Sequence, residues 1–199
     1  MGYAVAEELQ QDLVTRRKAD EIEDQLILLE HPPVYTLGRG ASLDNLKDRT
    51  IQPVRTGRGG EITYHGPGQL VAYPILKLED GKRDLHAYLR DLEQVVIELC
   101  ADYGLTAQRN PGQTGVWIGP KKLASIGVRA SSWVTSHGVA INYGPDLSPF
   151  QAIIPCGLKG VEMVSLTQLC GQVVRDELEE RFCRHFSRIF QRQMIGQPQ

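Results

Sequence analysis

Cys156 is the residue of this chain best framed for covalent chemistry. It ends the apolar run Ile153-Ile154 and lies between Pro155 and Gly157, off any helical stripe. The proline fixes the entry and the glycine frees the exit, a frame that holds a thiol at a pocket rim with backbone N–H groups close by. The attacking species is the thiolate, and a free cysteine ionises only near about pH 8.5, so a basic or cationic neighbour is required. His65, His137, Lys121 and Lys122 are the candidates. Residue type alone does not choose among them: the histidines serve equally as half-buried structural groups, and the lysines as solvated turn residues. The other three cysteines differ. Cys100 falls on the apolar stripe of a helix, Cys183 lies beside another such stripe, and Cys170 sits at a helix end, so all three read as structural.

The second chemical feature is Arg58-Gly59-Gly60-Glu61-Ile62-Thr63-Tyr64-His65-Gly66-Pro67-Gly68-Gln69. Its four glycines and a proline leave little room for an ordinary helix or strand. It therefore reads as a backbone-lined pocket wall carrying Arg58, Tyr64 and His65. A long connecting loop is the plainer alternative. The apolar run from Leu70 to Leu76 follows directly and reads as a buried strand. Ser125, Gly127 and Gly138 are small residues inside strand-like segments, positions that often mark close approach of a ligand or another backbone.

The elements that must position these groups follow from periodicity. Tyr3 to Lys18 predicts an amphipathic helix with Val5, Leu9, Leu13 and Val14 on its apolar face. Residues 25–30 and 34–37 predict strands, separated by His31-Pro32-Pro33. Asp84 caps a helix whose inner face is Leu85, Tyr88, Leu89, Leu92, Val95, Val96, Leu99 and Cys100. Residues 115–118, 122–129 and 133–142 form a β-meander. Ser165 with Gln168 predicts a capping box on a short helix ending at Gly171. A last helix from Val174 to Gln193 carries Leu178, Phe182, Phe186, Ile189 and Phe190.

The 199 residues suit one domain, 1–199, and 41% hydrophobic with 23% charged residues is ordinary for a globular protein. A net charge of −2 gives no footprint for nucleic acid or an anionic membrane. No apolar run approaches the roughly 20 residues that span a bilayer. The first residues carry no basic region followed by an apolar core, so a cytoplasmic protein is expected. Without a C-x-x-C pair no structural zinc, and no other metal, is expected.

The glycine-rich block with Tyr73-Pro74 resembles the signature of lipoyl(octanoyl) transferases. The blocks from Lys122 to Gly127, from Ser136 to Asn142 and from Ile154 to Leu158 match that family's other motifs in the same order, so the resemblance covers nearly the whole chain. It implies the α+β fold of the biotin and lipoate protein ligase catalytic domain, a mixed β-sheet with flanking helices. It implies transfer of an octanoyl group from acyl carrier protein to a lysine of the lipoyl domains of 2-oxoacid dehydrogenases or of the glycine-cleavage H protein, with no cofactor. Residue by residue, Cys156 resembles the acyl-carrying nucleophile and Lys122 the lysine that activates it. Arg58, Gly59, Gly60, Glu61, Ile62, Thr63, Tyr64 and His65, with Ser125, Ile126 and Gly127 and with Gly138, Val139 and Ala140, align with the segments that line the acyl pocket. One departure is the N-terminus: many members begin with a strand before the first helix, so an edge strand is expected to be missing. Two other functions remain. An ATP-dependent lipoate or biotin ligase on the same fold needs no nucleophilic cysteine. A non-catalytic acyl- or biotin-binding regulator would leave the cysteine and lysine without purpose.

Overall fold

The computed structural model describes residues 1–144, 146–158 and 160–195. Its centre is a six-stranded sheet in which every neighbouring pair is antiparallel, built from β1 (Gln25–Leu29), β5 (Gln69–Ile75), β9 (Val134–Asn142), β8 (Lys121–Ser131), β7 (Gln113–Ile118) and β6 (Gln108–Asn110), in that spatial order. A small second sheet holds β2 (Val34–Leu37) between β3 (Val54–Arg55) and β4 (Ile62–His65). Among the described strands only β2 and β3 run parallel.

The large sheet is covered on both faces. On one side lie α2 (Leu85–Ala101) and α4 (Arg175–Phe190). Leu92, Val95, Val96 and Leu99 of α2 and Leu178, Phe182 and Phe186 of α4 pack with Leu70, Ala72, Val139 and Ile141 from the strands. On the other side α1 (Tyr3–Lys18) packs against β5 and β9, with Ala6 beside Val71, Tyr73 and Ala140. Strand alternation produces this split: Leu70 and Ala72 go to the helix pair, Val71 and Tyr73 to the α1 side. Asp84 caps α2 by accepting from His86 and Ala87 N–H, and Ser165 with Gln168 completes the capping box of α3 (Leu166–Cys170). No helix among the described residues is long and apolar enough to cross a membrane.

Two expectations need correction. α1 docks through Tyr3, Ala6 and Gln10, while Val5 is 58% exposed. The small Ala6 lets the helix approach the sheet, and Gln10 reaches His137, so the inward face is partly polar. The glycine-rich segment also contains a strand. Between Gly60 and Gly66, Ile62-Thr63-Tyr64-His65 alternates apolar and polar residues and pairs with β2, from Val34 with His65 to Leu37 with Ile62. The loop proper is Gly57–Glu61.

Candidate active site

Cys156 sits in a single 3-10 turn, Pro155–Gly157, with a left-handed backbone at φ 57° that a non-glycine residue adopts only when its surroundings enforce it. The enforcement is visible. Ile154 N–H donates to Asn45 C=O at 2.7 Å, and Gly157 N–H closes the turn on Ile154 C=O at 3.1 Å. Asn45 is fixed in turn by Glu61, whose Oε2 accepts from Asn45 Nδ2 at 3.0 Å and from Ser42 N–H at 3.1 Å. The glycine loop and the cysteine turn are thus tied together, and Gly157 N–H is committed to the turn rather than to an oxyanion.

Lys122 is 1% exposed, an extreme burial for an amine. Its Nζ donates to Cys156 Sγ at 3.2 Å and to Thr114 C=O at 2.9 Å, and lies 5.3 Å from the centre of the Trp117 ring. The backbone is clamped from one side, Lys122 N–H donating to Glu162 C=O at 2.8 Å and Val164 N–H to Lys122 C=O at 3.0 Å. Lys121, on the opposite face, reaches outward to Glu162 Oε1 at 2.7 Å with its side chain 42% exposed. Of the four possible partners for the thiol, the fold brings Lys122 into contact.

Both groups border a cavity of about 470 Å³ between the α1 face of the large sheet and the glycine loop. Arg58, Gly59, Gly60, Glu61, Thr63, His65, Ser125, Ile126, Gly127, Gly138, Val139 and Ala140 all line it. Ile62 and Tyr64 do not: they turn to the opposite side of β4, where Tyr64 packs on Phe150 and Tyr35 in a separate core cluster. The period of two in a strand that the sequence did not reveal is the reason. Ile126 and Val139 border the cavity while packing into the helix-side core. Glycine is required where the walls meet: a Cβ on Gly127 would lie 2.8 Å from Gly59 O, and one on Gly138 would lie 2.1 Å from Ala72 O.

Arg58 is 7% exposed, and its guanidinium donates to Thr36 C=O at 2.8 Å, to Thr36 Oγ1 at 2.9 Å and to Gly59 C=O at 3.0 Å. Burial pushes its pKa down. His65 Nδ1 faces Gln69 Oε1 at 2.6 Å. Gln69 Nε2 donates to Asn142 Oδ1 and Tyr64 C=O, which fixes the amide and makes Nδ1 of His65 the protonated nitrogen. Tyr3 and Tyr73, which were not among the expected pocket residues, complete the inner wall with Val71. Tyr3 Oη, Ser125 Oγ and His137 Nδ1, on three of the residues that line the cavity, are buried without a partner among the described residues.

Burial, then the nearby Arg58 charge, lowers the pKa of His65 to about 3 and that of His137 to about 4. Both rings are therefore neutral near pH 7, which removes them as cationic partners for the thiol. The unfolded chain takes up these protons near pH 6.5 and the folded chain only well below, so stability falls as pH drops between those limits. About 2 kcal/mol for each histidine is lost by pH 5. Thermal unfolding followed from pH 7.5 to 5 checks this, and His65→Gln should flatten part of the slope.

The chain matches the family model of the lipoyl protein ligase A/B catalytic domain over residues 2–187. It is 51% identical to an octanoyltransferase of Solibacter usitatus, over 98% of this chain and 91% of that protein. Among solved structures it resembles a bipartite lipoate protein ligase from Thermoplasma acidophilum, with TM-score 0.73 and 17% identity over 98% of this chain and 83% of that one. It also resembles the biotin protein ligase of Aquifex aeolicus in complex with biotin and ATP, with TM-score 0.55 and 14% identity over 78% of this chain and 70% of the other. At such identity the two structures speak for the fold.

Proposed function

This chain belongs to the lipoyl protein ligase A/B catalytic-domain family, and we propose that it carries the octanoyl group as a thioester on Cys156 between donor and acceptor. It is an acyltransferase, an octanoyltransferase like its relatives at about half identity. Octanoyl-acyl carrier protein is the donor in this proposal. The acceptors are lysines of the lipoyl domains of 2-oxoacid dehydrogenases and of the glycine-cleavage H protein, and the reaction runs in the cytoplasm. The observation that carries the proposal is the Lys122 Nζ to Cys156 Sγ contact of 3.2 Å at the rim of the cavity.

The steps follow from that contact. Cys156 attacks the donor thioester carbonyl as the thiolate, its proton held by Lys122. The tetrahedral intermediate expels the carrier thiol, which takes that proton. One thioester is exchanged for another, so the step is close to neutral and needs no nucleotide. The acceptor amine then attacks the Cys156 thioester, the C–S bond breaks, and Lys122 passes the proton shed by the amine to the departing thiolate. An amide replaces a thioester, which drives the sequence forward. The acyl chain lies in the cavity, where each buried CH₂ contributes about 0.8 kcal/mol. Arg58, neutral His65 and the glycine backbone wall hold it there.

The ligase reading remains the competitor, because the fold is shared with ATP-dependent enzymes. Nucleotide decides between them. With an octanoyl thioester donor and a lipoyl domain, the domain should gain one octanoyl group with no ATP present. Dependence on ATP would remove the transferase proposal.

A further inference from the structure

Glu93 is fully buried on α2. Its Oε2 takes both neighbouring cations, Arg90 NH1 at 2.9 Å from the same helix and Arg109 Nε at 3.1 Å from β6. Its Oε1 accepts instead from the backbone N–H of Gly115 at 3.0 Å. That N–H belongs to the Thr114–Gly115 peptide, and the carbonyl of the same peptide accepts from Lys122 Nζ at 2.9 Å. One rigid planar amide thus has a carboxylate at its N–H end and the lysine ammonium at its C=O end.

We propose that Glu93 is a positioning residue for Lys122, acting through the Thr114–Gly115 peptide group. The inference rests on the proposal that Lys122 serves Cys156. A carboxylate bound to an amide N–H polarises the unit and makes its carbonyl a stronger acceptor. The ammonium is then held by two fixed atoms, Thr114 O and Cys156 Sγ, rather than by the thiol alone. The backbone is shaped for this. Gly115 has φ 132°, and a Cβ there would lie 2.6 Å from Lys122 Cε and 2.5 Å from Ala124 O, so only glycine lets the peptide turn its carbonyl to the amine this closely. The charged and titratable groups around this path are Arg90 and Arg109 on the Glu93 side, with Cys156, Arg58 and Glu61 on the cavity side.

The test reads the rate of iodoacetamide alkylation at Cys156 against pH, on the full chain, with the site assigned by peptide mass. Glu93→Ala removes charge and acceptor, Glu93→Gln only the charge, and Arg109→Met breaks an ion pair while leaving the peptide contact. Lys122→Met is the reference. Glu93→Ala should slow labelling at neutral pH by about ten- to a hundredfold, the upper end being the cost of displacing a reacting group by about 1 Å. Its profile should also move to higher pH, with Glu93→Gln between it and wild type. Arg109→Met should keep the wild-type profile even if its Tm falls. If Glu93→Ala does not fold, Glu93→Gln carries the test. An unmoved profile in the Glu93 variants, or an equal movement in Arg109→Met, overturns the inference. If Lys122→Met itself leaves labelling unchanged, it is the lysine–cysteine proposal that fails. If Lys122→Met shifts the profile and the Glu93 variants do not, only the role of Glu93 fails.

Discussion

Lys122→Met is expected to lose both octanoyl transfer and ready alkylation of Cys156, whereas Lys122→Arg keeps measurable alkylation and loses most turnover. The site explains the difference. Nζ touches Sγ at 3.2 Å, where a positive charge favours the thiolate, and in the proposed mechanism its amine also takes and gives a proton twice in each cycle. Arginine keeps the charge but stays protonated under all working conditions, so it cannot shuttle protons. Its planar fork is also a poor replacement for an amine held between a thiol and the Thr114 carbonyl. Removal of a positioned acid–base group costs about 10²–10⁴-fold in rate, and the Lys122 variants should fall in that range. Lys121→Met, one residue away on the opposite face, should stay near wild type, because the Lys121 amine points outward to the exposed Glu162 carboxylate. Steady-state rates with an octanoyl thioester donor decide the first point and iodoacetamide labelling the second. Wild-type turnover in Lys122→Arg would remove the proton-transfer role.

Cys156→Ala should lose transfer by about 10³-fold or more, because it removes the one thiol among the described residues that line the cavity. Its stability should change little, since the thiol is only half-buried and belongs to none of the buried core clusters. Cys156→Ser tests the same point with a smaller change in shape: the hydroxyl keeps a hydrogen bond to the amine but ionises far less readily than a thiol. Two of the remaining cysteines offer no substitute. Burial pushes Cys100 up to about 12 and Cys183 up to about 11, so neither supplies thiolate near neutral pH. Equal transfer by Cys156→Ala and wild type would show that the cysteine is a bystander.

Much of this was written in the order of residue types. The Asp84 cap, the Ser165–Gln168 box and the apolar stripes of α2 and α4 are local signals, and each corresponds to the element that forms. The pairing of Lys122 with Cys156 spans 34 residues and brings two separate motifs together, so family resemblance pointed to it where composition could not. What stayed hidden depends on tertiary context. β4 lies inside a glycine-rich block, and the block's glycines masked the alternation that turns Ile62 and Tyr64 away from the cavity. The docking face of α1 is set by the close approach of Ala6 and by Gln10 accepting from His137 N–H at 2.7 Å, neither of which is an apolar signal. Glu93 looked like any polar residue on a helix. Its burial follows from the meeting of α2 with β6 and β7, which no local pattern records. Thr114 acts through its carbonyl, a group that every residue carries.

The central claim is that Cys156 bears the octanoyl group during turnover. Intact mass of the enzyme mixed with octanoyl donor, in the absence of acceptor, tests it most directly. The protein should gain one octanoyl mass that maps to Cys156, is released by hydroxylamine, is discharged when a lipoyl domain is added, and is absent in Cys156→Ala. An adduct on Cys100, Cys170 or Cys183, or full transfer by a Cys156→Ala enzyme that never acquires the mass, would contradict it.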